Sequence, residues 1–312
     1  MGKKQHYVPQ CYLNNFSKEN SNQVYVFDKK NHFSRVSNIN DVAEANYFYE
    51  LPNDDLLKQF GLDNKQAIEE FFSKEIETEY AKLLAEIINE VQDCKNPFIY
   101  GSKKLLFSRQ LALQHIRVNS VRNDLFDSSN CMQQVLTDMG FNKKAEEFRL
   151  DKEKVRNIHN CMILDDENIE RTTKAFFDLT WMILVNNSNQ KLYTSDNPIV
   201  TIGHADMGIL SNTGLLCPGI EVVFPITPTI VLLMIDGEYH NCKDKEGQII
   251  QTENSHMISY YNWHQVLNAE RSVISCDKNF WLIHDMYFLN PNYIDGPKTV
   301  LSFGGKDYFP ER

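Results

Sequence analysis

The first residues of the chain combine side chains that can do acid–base chemistry with side chains that pack in a core. His6, Gln10 and Asn14 recur four residues apart among aromatic and aliphatic residues in the stretch HYVPQCYLNNF. Residues four apart share one face of a helix. A histidine titrates near neutral pH, so His6 oriented by Gln10 would serve as a general acid, a general base or a metal ligand. Alternatively, both side chains would satisfy buried backbone groups and fix the N-terminus in place.

A carboxylate and a guanidinium lie on two stretches with helical periodicity. Glu77 falls at the edge of the apolar face of the first stretch, and Gln114 and Arg117 point the same way on the second. A carboxylate there needs a partner or a raised pKa. Glu77 would act as a metal ligand or base while Arg117 binds phosphate, or the two would form a clamp between helices. The other charged residues of these stretches are expected mostly on solvated faces: Glu69, Glu70, Glu75, Glu79, Arg109 and Arg122.

The segment YTSDNPIV places Ser-Asp-Asn-Pro at the end of a predicted strand. Strand ends commonly display functional side chains. Carboxylate and amide oxygens are ligands of Mg²⁺, so Asp196 and Asn197 would bind a cation or position a water molecule. The alternative is a local turn in which the Asp196 side chain caps the chain reversal, because Asp and Asn before proline favour turns.

A last polar group occurs in the stretch NWHQVLNAER. Asn262, Gln265 and Ala269 fall on one face of a predicted helix, and Arg271 follows it. Amide side chains beside a small residue suit a close approach to a strand or a ligand. A network of amides inside the core would use the same residues.

The elements that position these residues are read from hydrophobic periodicity. A β-hairpin is expected around a turn at 28–31. Helices are expected over 66–91, from an N-cap at Ser102 to about Leu125, in two or three segments between 128 and 190 of which the last ends near Asn187, and over Ser255–Ala269. Strands are expected in QKLYTSDNPIVTI, GIEVVFPITPTIVLLMID and QIIQT, and extended segments in SVIS and FWLIHDMYFL.

This order predicts an α+β fold, in which a helical bundle packs on a mixed or antiparallel sheet formed by the N-terminal hairpin and the C-terminal third. One domain is expected over 1–312. Its mainly helical lobe would span 66–190, and 1–50 and 191–312 would be mainly β with one late helix.

Composition limits the classes of function. The 312 residues are 42% hydrophobic and carry a net charge of −10, so a globular core is expected and a tight, purely electrostatic grip on nucleic acid is not the default. The seven cysteines show no CxxC pair, which favours reduced thiols in the cytoplasm. No signal peptide or membrane span is expected. The fingerprints of Rossmann folds, P-loops, zincins, α/β-hydrolases and zinc fingers do not occur.

Four stretches resemble, in sequence and spacing, a bacterial family of unknown function marked by an N-terminal HYVP motif: HYVPQCYLNNF, LYTSDNPIV, FPITPTIVLLM and YNWHQVLNAERSVIS. The resemblance spans nearly the whole chain and departs at Cys11, where many relatives carry an aromatic residue. It implies no settled activity, and a role in conflict with phage is suspected for some members. The residues that the family pattern selects are His6, Tyr7, Pro9, Gln10, Glu77, Gln114, Arg117, Ser195, Asp196, Asn197, Pro198, Pro225, Pro228, Asn262 and Arg271.

Two classes of function fit these residues. The first is a metal-assisted nuclease for RNA or DNA in a bacterial defence or toxin-type system, with His6, Glu77 and Asp196 catalytic. Asp196 and Glu77 would hold Mg²⁺ or Mn²⁺. The second is a recognition protein with a structural polar network, whose partner is a protein encoded by a neighbouring gene, a nucleotide or a phage component; a nucleotide- or NAD-processing enzyme is intermediate. The expected substrate-binding residues are Gln10, Gln114, Arg117, Asn197 and Asn262.

Overall fold

The N-terminal segment enters the core before the chain forms any long element. The computed structural model describes residues 4–18, 21–51, 54–93, 101–207, 211–296 and 299–310. Val8, Tyr12, Leu13 and Phe16 have no solvent exposure, so this segment is a buried plug. The first elements are β1 (Lys4–His6), α1 (Gln10–Leu13), a 3₁₀ turn (Asn14–Phe16), the hairpin β2 (Gln23–Asp28) and β3 (Phe33–Asn38), and β4 (Glu44–Asn46).

Helices follow, as the periodicity predicts. The helix expected over 66–91 is confirmed, although a π turn at Phe72–Ile76 interrupts it. The helices are α2 (Asp54–Gln59), α3 (Ala67–Phe71), α4 (Glu77–Gln92), α5 (Gly101–Arg117), α6 (Asn119–Asp138), α7 (Asn142–Glu147), α8 (Lys152–Leu164) and α9 (Asp166–Asp178).

The second long helix differs from the prediction at both ends. Ser102 is not its N-cap, because the helix already includes Gly101. It also does not run unbroken to Leu125: Val118 has extended dihedral angles (φ −73°, ψ 154°), and a new helix starts at Asn119. The break lies directly after Arg117, whose side chain is held on several sides by other elements, as described below.

The helix expected to end near Asn187 ends at Asp178 instead, and Thr180–Asn186 forms strand β5. The segment TWMILVN is rich in β-branched and aromatic residues, which favour a strand. Its place between two partner strands decides the outcome, because the pairing satisfies its backbone on both sides. The helical lobe therefore gives way to a strand before residue 190.

The remaining strands and helices complete the chain. The helix expected over Ser255–Ala269 is confirmed, whereas FWLIHDMYFL is a helix and not an extended segment. The elements are β6 (Thr194–Ser195), β7 (Val200–Gly203), β8 (Ile220–Thr227), β9 (Ile230–Ile235), β10 (Ile249–Thr252), α10 (Ser255–Asn268), β11 (Ser272–Ser275), α11 (Trp281–Leu289), α12 (Asn292–Asp295), β12 (Leu301–Phe303) and β13 (Lys306–Tyr308).

The α+β class is confirmed, and the larger strands form two sheets. The five-stranded sheet has the order β10-β5-β9-β8-β7 and is antiparallel except for the β10–β5 pair. The four-stranded sheet has the order β3-β2-β11-β6 and is antiparallel throughout. The N-terminal hairpin thus pairs with the C-terminal third through β11, and not with the five-stranded sheet.

The five-stranded sheet is covered on both faces. Successive residues of a strand point to opposite faces. Ile183 belongs to the core cluster that includes the N-terminal plug, α4 and α5, whereas Met182 and Leu184 belong to the cluster formed with Ile258 and Tyr261 of α10. This two-sided burial explains why β5, β8 and β9 read as continuous apolar runs.

Other expectations concern thiols and membranes. The cysteines that the structure describes are free, and Cys94 lies outside the described residues. Across those same described ranges, no helix has the length and apolar character needed to cross a bilayer.

A close contact between the start of β5 and the turn that follows β9 provides a test of this packing. A Cβ atom on Gly237 would lie 2.0 Å from Thr180 Oγ1 and 3.1 Å from Thr180 Cβ. We expect Gly237→Ala to lower the free energy of unfolding by about 1–3 kcal/mol, because the new methyl group overpacks the site.

The control uses a double-mutant cycle measured by chemical denaturation. Thr180→Ala removes the nearest atom, so Gly237→Ala should cost clearly less in that background than in the wild type. Equal costs in the two backgrounds would contradict the predicted contact.

Candidate functional site

Arg117 joins three parts of the chain at the end of α5. Its side chain is only 2% exposed. Nε donates to the Tyr49 hydroxyl at 3.0 Å, and Nη2 donates to the His6 carbonyl at 2.6 Å and to Glu77 Oε1 at 3.2 Å. The guanidinium also lies over the Phe72 ring, 4.0 Å from its centroid. The clamp between Glu77 and Arg117 is therefore formed, and it includes the backbone of His6.

The π turn explains how α4 reaches this arginine. Phe72 and Glu77 are the first residue of the π turn and the first residue after it, five positions apart. A π turn brings residues i and i+5 into line, whereas an α-helix would rotate them apart. One residue thus supplies the ring beneath Arg117 and the other supplies the carboxylate. Burial lowers the pKa of Arg117, but Tyr49 and Glu77 raise it above its ordinary value, so the cation is retained.

The predicted glutamines join the same group. Gln10 Nε2 lies 3.3 Å from His6 Nδ1, although His6 ends a strand and does not share a helix with Gln10. Gln114 Nε2 donates to the Tyr7 carbonyl at 3.2 Å. Burial lowers the pKa of His6, so its imidazole stays neutral at pH 7. His6, Gln10 and Gln114 therefore hold the plug against α5 and the neighbouring chain.

Glu69 was expected on a solvated face, but it lies near the clamp. Burial raises its pKa to about 7, Arg117 opposes this shift and Glu77 adds to it. The position of Glu69 eight residues before Glu77, about two helical turns, was the signal in the sequence.

A second arginine was also expected on a solvated face. Arg122 lies over the Phe48 ring at 3.8 Å, and its Nη2 donates to the Phe48 carbonyl at 3.1 Å and to His159 Nδ1 at 3.0 Å. His159 donates from Nε2 to the Ile116 carbonyl at 2.8 Å. Burial and the charge of Arg122 lower the pKa of His159 to about 3. Arg109, by contrast, is exposed as expected.

Asp196 connects two distant segments. It is 2% exposed, and its carboxylate accepts three backbone N–H groups, from Glu270 at 2.9 Å, Arg271 at 2.8 Å and Ser272 at 2.9 Å. The expected turn exists, but the Ser195 hydroxyl makes it by accepting from the Asn197 N–H at 3.0 Å. Asp196 therefore fastens the chain between α10 and β11 onto the Ser-Asp-Asn-Pro segment.

The amides of α10 hold the other side of that segment. Asn262 Oδ1 accepts from the Tyr193 N–H at 2.8 Å, and its Nδ2 donates to the Lys191 carbonyl at 2.9 Å. Gln265 Nε2 donates to Ser195 Oγ at 2.5 Å and to the Asn197 carbonyl at 3.0 Å. Both amides thus face the segment as predicted, and they bond protein groups.

Tyr7 is close to both halves of the predicted site, because its carbonyl accepts from Gln114 and its hydroxyl is influenced by Asp196. Its ring is 5.1 Å from that of Phe48, and burial followed by the negative charge of Asp196 raises its pKa well above the usual value. His6 and Glu77 therefore meet at Arg117, whereas the contacts of Asp196 are with backbone partners of its own.

The donor set does not fit the expected Mg²⁺ or Mn²⁺. Glu77 is paired with Arg117, and the Asp196 oxygens receive three N–H groups. Within the described ranges, no three residues of the types His, Cys, Asp and Glu come together as metal ligands would.

One comparison places the chain among known sequences. A family model described as a protein of unknown function, DUF4238, matches residues 4–279. The chain belongs to the DUF4238 family. The match includes every predicted site residue and ends before α11. No curated protein and no solved structure matches the chain.

The region shared with DUF4238 also borders a cleft of about 570 Å³ next to Asn197. His115 lines the cleft with its ring edge against Phe176, and burial lowers its pKa to about 4. No hydrogen bond to His115 is found among the described residues. No neighbouring residue in the sequence marks His115 as part of a site. Polar side chains dominate the lining: Lys29, His115, Ser120, Asp124, Asn197, Thr201, Thr213, His264, Asn268 and Asn292.

Substitution of the clamp tests its structural weight. We expect Arg117→Lys to lower the free energy of unfolding by about 3 kcal/mol, because an ammonium group cannot satisfy Tyr49, His6 and Glu77 with one planar fork. Glu77→Gln should cost about 1 kcal/mol, since an amide oxygen still accepts from the guanidinium. Chemical denaturation measures both.

Arg109→Lys, on the exposed face of the same helix, is the matched control and should change stability by less than about 0.5 kcal/mol. An Arg117→Lys variant as stable as this control would contradict the role assigned to the clamp.

The buried His159 predicts a dependence of stability on pH. Its pKa is about 3 in the folded state and about 6.5 in the unfolded chain. Between these values the unfolded state binds more protons, so this residue lowers the free energy of unfolding as pH falls, by up to about 1.4 kcal/mol per pH unit. His159→Gln should show a correspondingly smaller slope between pH 6 and pH 4 in urea titrations, about 1 kcal/mol per unit less. An unchanged slope would mean that His159 does not titrate in this way.

Proposed function

We propose that this member of DUF4238 is a recognition protein that binds a small, polar, uncharged ligand in the cleft beside Asn197. The polar residues selected from the sequence then form the internal framework that shapes the cleft. The observation that carries the proposal is a contrast between the motif carboxylates and His115. The motif carboxylates of Glu77 and Asp196 bond to protein groups, whereas His115 faces the cleft with no hydrogen-bond partner among the described residues.

The framework role is supported by the contacts of the predicted catalytic groups, because other protein groups already bond to them. A metal ligand or general base must offer a lone pair to a group that can approach it. Asp196 is almost completely buried and receives three N–H groups. The guanidinium of Arg117 already donates hydrogen bonds to Tyr49, His6 and Glu77, so fewer of its N–H groups remain to bind a phosphate.

The cleft has the size and chemistry of a small-molecule site. Its volume of about 570 Å³ lies within the usual range of ligand pockets. Lys29 donates from Nζ to the carbonyls of Val266 and Ala269, and Asp124 supplies the opposite charge at the lining. The rest of the polar lining is amide, hydroxyl and neutral imidazole, which favours hydrogen bonding to a nucleoside or a sugar over binding of a strongly charged group.

The finer expectations from the sequence stay predictions. They are that the HYVP sequence marks the family, that the protein is cytoplasmic, that a neighbouring gene encodes a partner, and that it is a nuclease acting in anti-phage defence. The nuclease hypothesis needs carboxylates free to hold a metal ion, and the contacts of Asp196 and Glu77 do not favour it.

Thermal shift and calorimetry with ribonucleosides and hexoses test the proposal. At a concentration about 100 times the dissociation constant, a ligand stabilises the folded state by about 2.7 kcal/mol, which should raise the melting temperature by roughly 5 °C. We expect at least one compound to give such a shift with the wild type. His115→Ala should lose most of it and keep the melting temperature of the free protein within a few degrees.

The control is His256→Ala, an exposed position on α10 outside the cleft, which should bind as the wild type does. A parallel assay follows cleavage of labelled RNA and DNA with Mg²⁺, Mn²⁺ or EDTA in the wild type, His6→Ala and Asp196→Asn. Metal-dependent cleavage lost in both variants at an unchanged melting temperature would overturn the proposal in favour of the nuclease. Absence of any ligand shift would also contradict it.

A further inference from the structure

Three lysines line an open groove on the part of the molecule where the hairpin, the turn between β8 and β9, and the loop after β11 meet. The groove has a volume of about 660 Å³ and shares no lining residue with the cleft beside Asn197. We call it the lysine groove. Its lining consists of Ser17, Lys18, Tyr25, Gln92, Lys191, Thr227, Pro228, Thr229, Ile230, Cys276, Asp277 and Lys278.

The three lysines of the groove have no carboxylate partner among the residues that the structure describes. Within the described ranges, Lys18, Lys191 and Lys278 form no ion pair, and Lys18 Nζ lies 5.7 Å from the centre of the Tyr25 ring. Some lysines elsewhere in this acidic chain are paired with carboxylates, as Lys103 is with Glu90 and Lys104 with Glu246. Like charges that face one groove without counter-charges raise its potential and favour an anion.

One carboxylate opposes them among the described lining residues. Asp277 accepts the Asn279 N–H at 3.0 Å, so one of its oxygens is turned toward its own loop. Burial raises the pKa of the Cys276 thiol, Lys191 lowers it and Asp277 raises it, which shows that both charged groups lie near this sulfur. The sum of the charges on the described lining side chains is therefore positive, and Cys276 can report on what occupies the groove.

A smaller cavity of about 300 Å³ adjoins the groove and shares Lys191 and Asp277 with it. Gln190 lines this cavity, and its Nε2 is buried without a hydrogen-bond partner in the described structure, while its Oε1 accepts from Ser259. Trp281, half-exposed, lines the same cavity. An unsatisfied amide donor and an aromatic ring beside a cationic groove suit the polar edge and flat face of a ring on a phosphorylated ligand.

We propose that the lysine groove binds a phosphate-bearing anion of nucleotide size. Ammonium groups bind phosphate as point charges and can be contributed by separate segments, as here. The volume exceeds what an inorganic phosphate needs, and the adjoining cavity offers room for the rest of a nucleotide. The ligand can be a free nucleotide or one nucleotide of a single strand, since both present the same chemistry.

Fluorescence anisotropy with a labelled ADP analogue and with a labelled short oligothymidylate tests the site at low salt. The double variant Lys191→Glu/Lys278→Glu should weaken binding about tenfold or more, while Asp277→Asn should tighten it. On a single strand, three lysine contacts predict a slope of about −2 in the plot of log affinity against log salt concentration. Competition by unlabelled ADP against the oligonucleotide shows whether the free nucleotide or the strand is preferred.

The matched control is Lys82→Glu/Lys154→Glu, which changes net charge equally at exposed positions outside the groove. Alkylation of Cys276 mapped by mass spectrometry should be slowed by ADP, whereas that of Cys161 on α8 should not. Circular dichroism confirms that each variant is folded. The proposal is overturned if neither probe binds the wild type, if the two double variants lose affinity equally, or if Cys276 reacts at the same rate with and without ligand.

Discussion

The burial of one guanidinium determines how the N-terminal half of this protein is assembled. A cation enclosed in a protein interior is stable only if hydrogen-bond acceptors and a counter-charge surround it, because desolvation of a lone charge costs several kcal/mol. Arg117 obtains its acceptors from His6, Tyr49 and Glu77, three segments that are far apart in sequence. The position of β1, the π turn before α4 and the end of α5 at residue 117 all serve this single requirement.

A second buried charge, the carboxylate of Asp196, holds together the segments around β6 and β11. The Asp196 carboxylate accepts three backbone N–H groups, and their dipoles stabilise its negative charge. Tyr7, the neighbour of His6 in the chain, lies close enough to this carboxylate for the negative charge to raise the pKa of its hydroxyl. A framework of buried charges therefore requires acidic, basic and cationic residues on separate segments. The presence of such residues is not in itself a sign of catalysis.

The sequence predicted the elements that follow from local pattern, and it missed those that depend on contacts with other segments of the chain. The helix of Ser255–Asn268 and the hairpin of β2 and β3 follow from periodicity and turn residues. The apolar run of Thr180–Asn186 continues a helical one and so predicts a helix, and only pairing with β9 and β10 makes it a strand. Likewise, residue types and spacing select His6, Gln10 and Glu77 as candidates for a polar site. Which of them bond to protein, and that His115 lines a cleft, depends on packing between segments that no spacing encodes.

The net charge of the sequence likewise does not determine which ligands the folded protein can bind. A value of −10 argues against a broad electrostatic grip on nucleic acid, but charges more than about 10 Å away are largely screened at 0.1 M salt. What a ligand meets is the local balance, which depends on which lysines the fold pairs with carboxylates. Lys104 is neutralised by Glu246 from a distant loop, whereas Lys191 has no such partner within the described structure. An acidic chain can therefore carry a cationic groove, because its framework places the opposing charges elsewhere.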